Sequence, residues 1–263
     1  MQNKEAIEAI LELKHVSKNF GGITASDDIC ISVPRGHIYG IIGPNGAGKT
    51  TLFNMITGVY DTTGGEIYFK GKKINGLPTA VIAKLGIART FQNIRLFGSL
   101  SVYDNILTAC QKNITYSLLD SLFRTPKCRK QEKVMAEYCE ELLEAVGLIE
   151  YRDQQADNLP YGLQRRLEIA RAMATTPQLI LLDEPAAGMN EEESIALTVF
   201  VQSIRDKYGI TIVIIDHHMD VIMALCDHIT VLNFGQLLAN GSPDEIQTNP
   251  DVIEAYLGVD DEC

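Results

Sequence analysis

The residues with the clearest chemistry are Gly43-Pro44-Asn45-Gly46-Ala47-Gly48-Lys49-Thr50-Thr51. They read G-x-x-x-x-G-K-T, the phosphate-cradling Walker A loop. Glycines at these positions let the backbone curl so that its N–H groups converge on phosphate oxygens. Lys49 can reach the β- and γ-phosphates, and the Thr50 hydroxyl is placed to ligate Mg²⁺. A helix opening here would aim its positive end at the same anion. The second set is Leu179-Ile180-Leu181-Leu182-Asp183-Glu184-Pro185, an apolar run ending in two acids. Asp183 can hold Mg²⁺, and Glu184, one residue on, can polarise a water for attack on the γ-phosphate. By itself the acid pair is an ordinary charged strand end; behind a phosphate loop it reads as Walker B.

Two further segments carry weaker signals. Ile214-Ile215-Asp216-His217-His218-Met219 places histidines just past an apolar run, where one can hydrogen-bond a γ-phosphate. Alone, such a histidine is more simply a surface loop residue. Adjacent residues of an extended segment face opposite ways, so His217 is expected to point at the nucleotide and His218 away. In Asn158-Leu159-Pro160-Tyr161-Gly162-Leu163-Gln164-Arg165-Arg166-Leu167-Glu168, Gly162 is expected to open a long helix with a second anion-seeking N-terminus.

These groups need elements to position them. Ile38–Ile42 reads as a buried strand feeding the loop, and Thr51–Ile56 as the helix leaving it. Leu11–Val16 and Ile29–Val33 read as strands, with Phe20-Gly21-Gly22 in a loop and Pro34-Arg35-Gly36 as a stop. Thr62-Thr63-Gly64-Gly65 reads as a turn before a strand over 66–70. From Val102 to about Ala174 the periodicity is helical, with a helix over 131–146 ending at Gly147 and a loop at Thr125-Pro126-Lys127. Fully apolar strands are expected at 179–182 and 210–215, with a helix over 192–207 between them. A hairpin over 229–239 and a helix from Asp251 to Leu257, closed by Gly258, finish the chain. The expected fold is α/β: a P-loop core sheet with an antiparallel β-lobe and an inserted α-helical subdomain. Residues 1–92 and 175–263 would form the core and lobe, and 93–174 the helical subdomain.

The chain has 263 residues, 46% of them hydrophobic, enough for a substantial core. Its net charge of −11 and the lack of a long basic run argue against nucleic acid as a partner. Six scattered cysteines without C-x-x-C point to free thiols in a reducing compartment. The segment beginning Met1-Gln2-Asn3-Lys4-Glu5 lacks the apolar core of a signal peptide, and no apolar run reaches membrane-span length. Work at a membrane would be that of a peripheral subunit.

The series G-P-N-G-A-G-K-T-T, Arg89-Thr90-Phe91-Gln92, L-x-x-G-x-Q-R-R-L-E-I-A-R-A, L-L-D-E-P and I-D-H-H-M resembles an ATP-binding-cassette (ABC) ATPase over nearly the whole chain. The resemblance implies ATP and Mg²⁺ as ligands. Phe20 would stack on adenine, and Gln92 would contact Mg²⁺ or the attacking water and abut a membrane subunit. Leu159, Pro160, Tyr161, Gly162 and Leu163 would cap the γ-phosphate held by a second cassette, a copy or a paralogue. Asn190 falls in the segment at the dimer seam, and His217 is the switch histidine. Within the family, Arg89–Phe97, Asn158–Glu168, Glu184–Gly188, the region around Phe123-Arg124-Thr125-Pro126, and the ending Asn249–Gly258 resemble ATPases of branched-chain (hydrophobic) amino-acid importers. Transmembrane permeases and, indirectly, a solute-binding protein would be the other partners, at the cytoplasmic face of the inner membrane. ATPases of urea importers and lipopolysaccharide exporters are the related alternatives, and a nucleotide-gated module with little turnover is another. Leu96 and Phe97 could line a groove for a permease helix or simply be core.

The sequence also departs from the family. The common L-S-G-G-Q is replaced through Pro160, Tyr161 and Leu163, which removes a serine hydroxyl. Asn190 stands where many relatives have Asp. Phe20 lacks the hydroxyl of the commoner Tyr. Asp216 and His218 replace the usual Glu and Asp beside the switch histidine, which puts the local polar contacts in question.

Overall fold

The computed structural model describes residues 8–257. In chain order the elements are β1 (Ala9–Phe20), β2 (Ile23–Pro34), β3 (Ile38–Ile42), α1 (Lys49–Ile56), β4 (Gly64–Phe69), β5 (Lys72–Lys73), α2 (Thr79–Leu85) and β6 (Ile87–Arg89). There follow α3 (Val102–Cys110), α4 (Leu118–Leu122), α5 (Pro126–Ala145), α6 (Tyr161–Met173), β7 (Leu179–Asp183), α7 (Glu191–Tyr208) and β8 (Thr211–Ile215). The last are α8 (Met219–Leu225), β9 (His228–Asn233), β10 (Gln236–Gly241), α9 (Pro243–Gln247) and α10 (Pro250–Leu257). Two units emerge. One runs through Gln92 and resumes at Gln178; the other is Asn93–Pro177.

The first unit holds two sheets. The six-stranded sheet has the order β10-β9-β3-β8-β7-β6, parallel except for β10 against β9. Its strands β3, β7 and β8 are buried at every position, which is why they appear in the sequence as near-continuous apolar runs. The carboxyl ends of β3, β7 and β8 carry the phosphate loop, the Asp183-Glu184 pair and the Asp216-His217-His218 segment, as open α/β sheets place their sites. The second sheet, β2-β1-β4-β5, is antiparallel.

Several boundaries differ from the sequence expectation. Phe20 is the last residue of β1 rather than a loop residue, and β2 starts at Ile23, well before Ile29. Gly64 and Gly65 belong to β4, not to a turn. A Cβ on Gly65 would lie 2.1 Å from the His15 carbonyl oxygen, so the missing side chain is what lets β4 reach β1. The short β6 carries no period long enough to read. Gly258, expected to close α10, and Cys263 lie outside the described residues.

The second unit is built on helices α3 to α6, and among its described residues the extended pairing is an isolated bridge between Ser101 and Gln155. Thr125-Pro126-Lys127 is not a loop. Thr125 is the N-cap of α5, its side chain accepting from the Cys128 N–H, and Pro126 takes the first helical turn, where its missing N–H costs nothing. Leu142, Leu143 and Cys139 of α5 are buried, with Val102, Ile106 and Cys110 of α3. No described helix is long and apolar enough to cross a membrane.

Candidate functional site

The loop 43–48 leaves β3 and turns into α1 against fixed backbone. A Cβ on Gly43 would lie 2.0 Å from the Leu232 carbonyl oxygen, and one on Gly48 2.3 Å from that of Ala25. Both have positive φ, so these two positions admit little but glycine. Gly48 is the N-cap of α1 and offers no side-chain acceptor, which leaves first-turn N–H groups available to an anion. Lys49, 8% exposed, donates to the carbonyl oxygens of Gly43 (2.6 Å) and Pro44 (2.9 Å). Burial lowers its pKa, while Glu184 and Asp183 pull it back up. Asn45, Gly46 and Thr50 are exposed, Pro44 and Thr51 half-buried, and Ala47 buried.

Asp183 ends β7 and pairs with the Arg89 guanidinium at 2.7 Å, both nearly buried. Arg89 also donates to Asn54 of α1 at 2.7 Å and lies over the rings of Phe53 and Phe91. It therefore ties α1 to β6 and β7. Nothing in its spacing announced this, because a single Arg at the end of a three-residue strand has no pattern.

Glu184 has φ 46°, and its N–H donates to the Ile215 carbonyl at 2.7 Å, which fixes the residue between the ends of β7 and β8. Gln92 Nε2 donates to Glu184 Oε2 at 2.8 Å, and His217 Nδ1 stands 3.7 Å from the same oxygen. The structure therefore brings Gln92, Glu184 and His217 together. The histidines differ from expectation. Their ring centroids are 4.1 Å apart, so they lie side by side rather than on opposite faces. The cause is Asp216, which is buried. One of its oxygens accepts from the Ala186 N–H (3.0 Å), the other from His218 N (3.0 Å) and His218 Nδ1 (2.6 Å). The Asp216–His218 combination thus closes its own polar contacts and staples the segment after β8 to the turn after Glu184.

Phe20 sits at the tip of the β1–β2 hairpin, 41% exposed, edge-on to Tyr60 at 5.2 Å. Lys18 lies 4.9 Å from the Phe20 centroid and donates to the Asp61 carbonyl. Tyr60 is an aromatic partner that the sequence reading missed; its place just after α1 was the available signal. Tyr256 of α10 lies beside the Gly43 backbone, and burial pushes its phenol up to about 12.

The remaining predicted residues lie elsewhere. Asn190 is the N-cap of α7 in a reciprocal capping box with Glu193, so an uncharged side chain there serves the helix start. In the helical unit, α6 begins at Tyr161 with Pro160 as N-cap and no side-chain cap. Gly162 is thus the second helical residue, not the opener. Leu159 is buried, Tyr161 exposed, and Gly162 and Leu163 half-buried. Arg165 and Glu168 form a fully buried pair at 2.7 Å, and Arg165 also donates to the Tyr161 hydroxyl at 3.3 Å. Phe97 is half-exposed with the Arg171 guanidinium over its ring, and Leu96 is half-buried, so neither is core.

A phosphate loop, a strand-end Asp-Glu pair and a converging Gln and His gather at the carboxyl ends of β3, β7 and β8, and relatives supply the family. Residues 26–187 match the ABC transporter family model. The chain belongs to the ABC transporter family as an ATP-binding cassette. The cassette's residues 236–262 also match the model described as branched-chain amino acid ATP-binding cassette transporter. It is 45% identical to the high-affinity branched-chain amino acid transport ATP-binding protein BraF of Pseudomonas aeruginosa, over 95% of this chain and 98% of that one. It is 42% identical to LivG of Escherichia coli K12, described in the same words, at the same coverage. Among solved structures, an ABC transporter cassette in its ADP conformation superposes with a TM-score of 0.83 at 35% identity, covering 95% of this chain and 99% of that one. The cassette is an ATPase of this family, and its site binds adenine nucleotide.

Proposed function

We propose that the chain is the ATP-hydrolysing subunit of an importer of branched-chain amino acids, seated peripherally on the cytoplasmic face of the membrane. The observation that carries the hydrolytic half is the convergence of Gln92 and His217 on the Glu184 carboxylate. The solute half rests on the extent of the likeness to BraF and LivG.

In this reading the triphosphate lies on the phosphate loop with adenine against Phe20. Lys49 and the first turn of α1 neutralise its charge. Glu184 orients a water in line with the γ-phosphorus and takes its proton, and the β–γ P–O bond breaks to leave ADP and phosphate. His217 donates a hydrogen bond to the γ-phosphate. The oxygen donors of Thr50, Asp183 and Gln92 form a hard set suited to Mg²⁺ and would hold it. When bound, the ion neutralises charge on the phosphate oxygens. Leu159–Leu163 would complete the site of a second cassette, and Gln92 with the Leu96–Phe97 stretch would meet the permease. The γ-phosphate can drive closure because it binds the paired state better than the open one.

Steady-state phosphate release by the complete transporter tests this. Glu184→Gln should lower release by at least about 100-fold while ATP binding persists and an ATP-bound cassette dimer accumulates. Release independent of Glu184 would overturn the hydrolytic assignment. Stimulation by a binding protein loaded with urea, and not with leucine, would overturn the solute.

A further inference from the structure

The helical unit carries an apolar feature that the transport reading does not use. Leu118 is 90% exposed, Leu119 66%, Leu122 75% and Phe123 74%. At helical spacing, positions 118, 119, 122 and 123 share one side of the turn formed by α4, with Asp120 and Ser121 on the other. The turn is held firmly. Ser117 caps it in a reciprocal box with Asp120, and the Asp120 carboxylate also accepts from the Thr125 hydroxyl at 3.0 Å. The hydrogen bond from the Ser117 backbone N–H is the leading cause that holds the Asp120 carboxyl below its usual range. Asp120 is the sole acid between residues 111 and 131, and it is turned to this structural use. Behind Phe123 comes Arg124-Thr125-Pro126-Lys127-Cys128-Arg129-Lys130, four exposed cations in seven residues. This stands out in a chain of net charge −11. Lys127 Nζ donates to the Thr115 carbonyl at 3.1 Å, which places this basic run beside the start of the apolar turn.

We infer that α4 and the basic run after it form a membrane-surface contact that inserts Leu118, Leu119, Leu122 and Phe123 at the headgroup–acyl boundary of an anionic phospholipid bilayer. Two features select lipid over a protein partner. The apolar side chains stand 66–90% exposed rather than lining a groove that could receive a helix. Apart from Asp120, engaged in the cap, the charge beside them is positive, the complement of an anionic leaflet, and a basic cluster joined to exposed large apolar residues is how peripheral segments hold such surfaces. The contact is independent of which solute is moved, and it needs no permease.

The test uses the purified full-length chain and vesicles of phosphatidylcholine with and without phosphatidylglycerol. The chain should float with the anionic vesicles and not with the neutral ones. Leu122→Ser with Phe123→Ser should weaken flotation at least about tenfold. Replacing Lys127, Arg129 and Lys130 by Gln should weaken it about fivefold per charge. ATP binding should be unchanged in both variants, which separates this contact from the hydrolytic site. The chain has no tryptophan, so Phe123→Trp gives a single reporter, whose emission should shift to the blue on anionic vesicles. Absent or lipid-independent flotation, or unshifted Trp emission, would overturn the inference. So would an apolar variant that breaks an oligomer while still floating, because the turn would then cover a second copy.

Discussion

Arg89 with Asp183 in the core unit and Arg165 with Glu168 in the helical unit are both buried ion pairs closed at 2.7 Å. They differ in what surrounds them. Arg165 and Glu168 lie three residues apart on α6, at 0% and 2% side-chain exposure; Arg165 also donates to the Tyr161 hydroxyl, and Glu168 accepts from the Arg95 backbone N–H at 3.4 Å. Arg89 and Asp183 come from two neighbouring strands and sit at the strand ends, next to Glu184. Arg89 has Asn54 as a further partner, so it does not depend on Asp183 alone. A fully buried pair within one helix fixes local architecture, whereas a pair at a strand edge can hold a carboxylate ready for other work. The charge chemistry is the same, and position decides its use.

The largest expected effect is therefore in the helical unit. Arg165→Ala should cost about 3–5 kcal/mol, because the buried Glu168 carboxylate loses its 2.7 Å ion-pair partner, measured as the shift in urea midpoint at constant slope. Asp183→Asn should lower phosphate release about 100-fold, roughly 2.7 kcal/mol of transition-state stabilisation, yet destabilise the fold less than Arg165→Ala. Equal losses of stability in the two variants would abolish the distinction. The smallest effect concerns a neutral cap. Asn190→Ala should cost about 1 kcal/mol, and Asn190→Asp only a few tenths, with little change in ATP binding. A large loss of activity in Asn190→Asp at unchanged stability would show that this residue does more than start α7.

How far the sequence spoke depended on the length of each signal. The phosphate loop and β3, β7 and β8 were plain, because burial on both faces writes a near-continuous apolar run, such as Leu179–Leu182 or Ile212–Ile215. Gly64-Gly65 misled because glycine marks both turns and close backbone approaches, and only the neighbour, here the His15 carbonyl, tells them apart. Arg89 was invisible as a functional residue because its partners Asn54 and Asp183 lie 35 and 94 positions away. His217 and His218 were placed on opposite faces by strand logic, but β8 ends at Ile215, and Asp216 turns His218 back on itself. Proline at 126 read as a break, although after a threonine cap it begins a helix.

Glu184 occupies a left-handed backbone conformation, which a glutamate adopts at a cost of order 1–3 kcal/mol. Glycine or asparagine would sit there more comfortably and, on the hydrolytic role proposed for Glu184, would not activate water. Selection for thermal endurance alone would therefore drift away from glutamate at this position, and selection for turnover would restore it. Laboratory evolution of this chain under heat should make the conflict visible first at residue 184, before any neighbour in the phosphate loop changes.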